Sequence, residues 1–179
     1  RPMAPALNRG PVEVVPGVVM RLGPLDPDAV AALRERASFD VLPLSGAALE
    51  VPATAKALDA ECWVLQAPDS LALVSMPGDD LPSVRYHGPH GLLLASLGTT
   101  EICRASGWMT VHAAAYVTQE GRCRLVLGRS GAGKSTRVIH AVLQGASFLG
   151  EDRVWLRGSD LQLMPRDDAI RLLPDACAR

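Results

Sequence analysis

Lysine is nearly absent from this chain: Lys56 and Lys134 are the only two, and arginine carries the rest of the positive charge. Basic residues (18) and acidic residues (19) almost cancel to a net charge of −1, with no Lys/Arg cluster. The electrostatic footprint of a nucleic-acid binder and a polybasic membrane patch are both missing, so nucleic acid and membrane are not expected as partners. Long hydrophobic runs are missing too. Leu92 to Leu97 and Leu125 to Leu127 fall far short of the roughly 18 to 20 residues that cross a bilayer. No basic segment followed by an apolar stretch opens the sequence, and cytoplasmic residence follows as the default expectation. Cysteine is sparse: Cys62, Cys103, Cys123 and Cys177 are widely separated and form no C-x-x-C pair. This leaves no zinc ribbon and no redox motif, and the thiols are expected to be reduced and mostly buried.

What is present is a chain of 179 residues with 48% hydrophobic content, enough for one well-cored domain or a domain plus a small lobe. The spacing predicts an α/β or α+β protein with a small mixed N-terminal lobe over residues 1–90 and a second domain over 91–179. In the first part, Val12 to Leu22 is strand-like around Pro16-Gly17, and Asp26-Pro27 has the cap-plus-proline signature of a helix start. Glu61 to Gln66 and Leu71 to Ser75 flank Pro68-Asp69 as a hairpin. Pro77 to Pro89 mixes breakers and charges and is the candidate boundary. Beyond it, Leu92, Leu93, Leu97 and Ile102 fit one side of a helix from about Gly91 to Ser106. Thr110 to Val117 and Arg122 to Leu127 predict a hairpin about Gln119-Glu120-Gly121. Ser147 to Leu149, Arg153 to Leu156, Leu161 to Met164 and Ile170 to Leu173 read as short strands.

The second strand of that hairpin feeds Gly128-Arg129-Ser130-Gly131-Ala132-Gly133-Lys134-Ser135-Thr136, which satisfies G-x-x-x-x-G-K-[ST] between a predicted strand and a predicted helix. Glycines let the backbone curl so that successive N–H groups, including those of Ser130, Gly131, Ala132 and Gly133, can turn toward phosphate oxygens, and the helix N-terminus adds partial positive charge. Lys134 is expected on the β- and γ-phosphates and the Ser135 hydroxyl on Mg²⁺, while Thr136 supports the loop or the α-phosphate. A nucleoside triphosphate with Mg²⁺ is therefore the expected ligand.

Two further elements bear on what the loop does with its nucleotide. His112 sits in Val111-His112-Ala113-Ala114-Ala115, on the strand before the one that delivers the loop. Glu151-Asp152 follow Lys134 by seventeen and eighteen residues, in a turn after a short strand. Paired carboxylates there can divide labour, one serving Mg²⁺ and one accepting a proton from an incoming hydroxyl. Outside this set, His87, His90 and His140 read as surface residues, and Asp79-Asp80 and Asp167-Asp168 as turn caps. For Arg129 and Arg153, contact with phosphate or substrate and surface salt bridging are both open.

The His112 segment, the loop Gly128 to Thr136 and the stretch Gly145 to Val154 together resemble, in order and spacing, the core of the HPr kinase/phosphorylase family. The resemblance implies a P-loop kinase core that transfers phosphate from ATP to a serine of a protein or peptide. Related proteins modify peptide precursors in biosynthetic clusters. By position it implies catalytic roles for His112, Lys134, Glu151 and Asp152: His112 near the γ-phosphate, Glu151 as base toward the serine, and Asp152 with Ser135 on Mg²⁺. The family has aspartate where this chain has Glu151, one methylene longer. The resemblance spans about Met109 to Leu173, while the family continues through a second signature and C-terminal helices, so a core reduced at its C-terminus is expected. Homo-oligomer formation is left open. The competing expectations are an ATPase of the transporter or motor type, whose Leu-Ser-Gly-Gly-Gln signature and apolar run ending in Asp-Glu are not found, and a nucleotide-sensing module without transfer.

Overall fold

The structure, a computed structural model, describes residues 10–36 and 53–165. The expected strand at Ile170 to Leu173, the pair Asp167-Asp168 and Cys177 lie outside these residues. The fold is mixed α+β, and the chain divides into two compact units, one ending at Ser106 and the other beginning at Gly107.

In the first unit, strands β1 (Val12–Val15) and β2 (Val18–Pro24) form a hairpin about Pro16-Gly17. Helix α1 (Pro27–Arg36) starts where Asp26 accepts a hydrogen bond from the Asp28 backbone N–H at 2.8 Å and Pro27 fills the first helical position. After it come β3 (Thr54–Ala57), β4 (Cys62–Ala67), β5 (Ser70–Ser75), β6 (Ser83–His87) and helix α2 (Gly91–Ala105). The six strands run in the order β1-β2-β6-β5-β4-β3, with β2 and β6 parallel and every other pair antiparallel. β4 and β5 turn about Pro68-Asp69 as predicted, Asp69 taking φ +53.

Strand alternation sorts the two helices onto opposite faces. Leu25, Val30 and Leu33 cluster with Val64 and Leu71 on one face. On the other, Gly98 of α2 meets Val74 and Val84. Because α2 buries Leu94, Ala95, Gly98 and Ile102 and packs on β5 and β6, it closes the first unit rather than opening the second. The division therefore falls after Ser106 and not at residue 90. The breaker-rich stretch Pro77 to Pro89 contains the β5–β6 connection and β6 itself, which the turn residues disguised.

The second unit holds two three-stranded sheets: β10 (Ser147–Gly150), β8 (Ala113–Val117) and β9 (Cys123–Leu127) in the order β10-β8-β9, and β12 (Leu163–Pro165), β11 (Val154–Arg157) and β7 (Trp108–Val111) in the order β12-β11-β7. All pairs are antiparallel. The predicted strand from Thr110 to Val117 is broken at His112, where the chain leaves one sheet for the other. The predicted hairpin survives as β8 and β9.

Helix α3 (Lys134–Leu143) packs on β8. Ala113 and Ala115 cluster with Val154 on one face, backed by Leu163, and by alternation Ala114 faces the other, so alanines suit a strand closely covered on both sides. Among the thiols, Cys103 is buried as expected, Cys62 is half-buried, and Cys123 on β9 is exposed.

A β-carbon added at Gly98 would stand 2.6 Å from Val74 Cγ2 and 3.3 Å from both γ-carbons of Val84. The close approach of α2 to its sheet therefore depends on this glycine. Gly98→Leu is expected to lower unfolding free energy by about 2 to 3 kcal/mol through overpacking. A urea titration in which the variant's midpoint equals the wild type's would contradict this packing.

Candidate functional site

The site is assembled by register. Ala113 pairs with Leu127 across β8 and β9, which sets His112 beside Gly128, the first residue of the loop. Gly150 pairs with Ala115 across β10 and β8, so Glu151-Asp152 leave the sheet at that same end. Three connections thus emerge together: the β7–β8 junction with His112, the β9–α3 loop, and the β10–β11 junction from Glu151 to Arg153. Both junctions are places where the chain passes between sheets.

The loop lies between β9 and α3, as the motif requires. Gly131 and Gly133 take φ +78 and +84, left-handed values that favour glycine. Lys134 folds back over the loop, its Nζ donating to the carbonyl oxygens of Gly128 at 3.0 Å and Arg129 at 3.2 Å. Ser135 is half-buried, and Ser130, Ala132 and Thr136 are exposed. This geometry can present loop N–H groups and one ammonium to an anion.

Among the described residues the buried charged side chains are Lys134, 8% exposed, and Glu151, 7% exposed. Lysine and glutamate are almost never buried unless they are paired. Here Lys134 is held by loop carbonyls, and Glu151 is likewise engaged within the fold. Asp152 has the opposite environment: it is half exposed, and its Oδ1 lies 2.9 Å from His112 Nε2. Its Oδ2 is 3.9 Å from Arg153 Nε, so Arg153 faces a carboxylate. The two neighbouring acids are thereby differentiated, one enclosed and one solvated.

Asp152 also has φ +63, and the Arg153 N–H donates to the Glu151 carbonyl at 2.6 Å. An i to i+2 hydrogen bond around a positive φ is a strained, three-residue γ-turn. The turn links β10 to β11, with Glu151 buried and Asp152 exposed. Nothing local in Gly150-Glu151-Asp152-Arg153 announces it beyond the tolerance of aspartate for positive φ.

Mg²⁺ bridging nucleotide phosphates usually takes only one or two protein oxygens. The Ser135 hydroxyl in the first turn of α3 and the solvated Asp152 carboxylate fit that donor set. No protein-family model, curated protein or solved structure matches the chain.

The strained turn gives a direct test. Asp152→Gly relieves the positive φ whereas Asp152→Ala does not, so the glycine variant is expected to be about 1 kcal/mol more stable than the alanine variant. Chemical denaturation of the pair measures the difference; an alanine variant equal to or more stable than glycine would remove the γ-turn from the account.

Proposed function

We propose that the chain is an ATP- and Mg²⁺-dependent kinase that phosphorylates a serine hydroxyl of a protein or peptide, as the resemblance to the HPr kinase/phosphorylase family implies. The observation that carries this reading is the pair of buried opposite charges, Lys134 and Glu151, on two of the three connections that leave one end of the β10-β8-β9 sheet. Enclosing a carboxylate beside a phosphate loop costs stability and has a use if that carboxylate receives a proton.

In this mechanism the loop N–H groups and Lys134 hold the β- and γ-phosphates. The serine oxygen attacks the γ-phosphorus, its proton passes to Glu151, and the bond to the β-phosphate oxygen breaks to leave ADP. Ser135 and Asp152 would hold Mg²⁺, which would supply charge neutralisation when bound. His112, which the sequence reading set against the γ-phosphate, lies against Asp152 at 2.9 Å, and its proposed role is to fix that carboxylate's orientation.

Incubation with γ-labelled ATP and Mg²⁺ tests the reading: label on serine is expected, whereas free phosphate alone indicates an ATPase and unchanged ATP a sensor. Lys134→Ala should abolish transfer and weaken nucleotide binding roughly tenfold or more, the worth of lost charge-assisted hydrogen bonds. Glu151→Gln should leave nucleotide affinity near wild type and slow transfer by about 100-fold or more, the scale of general-base catalysis. Wild-type transfer by Glu151→Gln would remove the base. His112→Gln, which keeps an N–H donor, should retain more transfer than His112→Ala; equal loss in both would contradict an orienting role.

A further inference from the structure

The second unit has a hollow away from the phosphate loop. It is a trough of about 480 Å³ between the outer flank of α3 and the β8–β9 turn, bordered by Tyr116, Thr118, Glu120, Arg137, His140 and Gln144. That volume falls within the roughly 300 to 1,000 Å³ of ligand sites. Arg137, His140 and Gln144 stand at i, i+3 and i+7 and share one face of the helix. The row begins one turn beyond Lys134 and, at about 1.5 Å per residue, runs on for about 10 Å to the helix end. An extended peptide covers that length with about three residues.

The trough carries two formal charges, Arg137 and Glu120, and of these only the carboxylate has an opposite charge near it. Among the described residues, the Arg137 guanidinium and the His140 imidazole take part in no ion pair or side-chain hydrogen bond. The one acid, Glu120, is answered locally: the Thr118 hydroxyl and the turn backbone, with Arg124 nearby, hold its carboxyl below the usual range. From Gly107 to Pro165 the chain carries seven basic residues against four acidic ones, although the whole chain is slightly acidic. A solvent-facing guanidinium with no partner, beside an imidazole and the amide of Gln144, is suited to bidentate capture of a carboxylate.

We propose that this trough receives an acidic stretch of the peptide that carries the acceptor serine, an inference that rests on the kinase reading. The trough's near end, one helical turn from Lys134, puts the recognised Asp or Glu residues about three to six positions from the serine.

Two measurements separate this inference from the reading on which it rests. In the first, fluorescein-labelled tetraglutamate, tetraglutamine and tetralysine are titrated with the full chain, and anisotropy is followed at low salt. Tetraglutamate alone should bind; excess non-hydrolysable ATP analogue should not displace it; and Arg137→Glu should weaken it at least about tenfold while leaving nucleotide affinity unchanged. Arg137 and His140 are exposed, so His140→Glu gives a second variant that keeps the fold, with the same expected loss. Failure of tetraglutamate to bind, displacement by the nucleotide analogue, or indifference to both substitutions would overturn the assignment.

In the second, transfer from γ-labelled ATP to serine peptides with one Glu moved along the sequence should show a preference three to six residues from the serine, lost in Arg137→Glu. Transfer without any such preference overturns the trough and leaves the kinase reading intact. Tetraglutamate binding that depends on Arg137, with no transfer to any peptide, upholds the acidic-peptide site and removes the kinase.

Discussion

The pairing of Ala113 with Leu127 and of Gly150 with Ala115 is the constraint on which the candidate site depends. Antiparallel register fixes which residues leave a sheet together, and a slip of one position would turn every side chain of the strand to the opposite face. In this register the imidazole, the ammonium and both carboxylates come from one end of three short strands. The alanines of β8 hold the register by leaving α3 on one face and Val154 and Leu163 on the other close enough to lock the strand. A long side chain at Ala114 would push α3 outward, and with it the start of the helix that Lys134 opens.

The same arrangement concentrates energetic liabilities at one place. Two buried charges, a γ-turn centred on a non-glycine residue and left-handed glycines all lie on the connections at this end of the sheet. Strain of this kind costs on the order of 1 to 3 kcal/mol per residue and persists only where the surroundings impose it. Here they do, because β10 and β11 are each paired within a different sheet and only three residues carry the chain from one to the other. Among the described residues of the first unit, the buried interior is apolar apart from Ser70, whose hydroxyl accepts the His90 N–H.

Much of this was legible because it is local. Asp26-Pro27 opens a helix, Pro68-Asp69 turns a hairpin, and the loop from Gly128 to Thr136 lies between strand and helix, each through residues that restrict their own backbone. What escaped is tertiary. Thr110 to Val117 reads as one strand because the residues on both sides of His112 favour extended backbone; only the packing of β7 on β11 and of β8 on β9 divides it. The helix from Gly91 follows a breaker-rich stretch and so looks like the start of a domain, yet its apolar side fits the first sheet. The partner of His112 could not be read from spacing, since the contact at 2.9 Å joins two junctions forty residues apart. His140 looked like an ordinary surface position, and what distinguishes it and Arg137 is the hollow beside them.

The central claim is that nucleotide and metal gather at the end of β8 where these three connections meet. Replacing Mg²⁺ with paramagnetic Mn²⁺ in the presence of a non-hydrolysable ATP analogue, and following backbone amide signals by NMR, tests it most directly. The account predicts that signals of Gly133, Ser135 and Asp152 broaden beyond detection, while those of Thr118 and Gln144 at the far end persist. Broadening confined to the far end, or Asp152 left sharp beside a broadened loop, would contradict it.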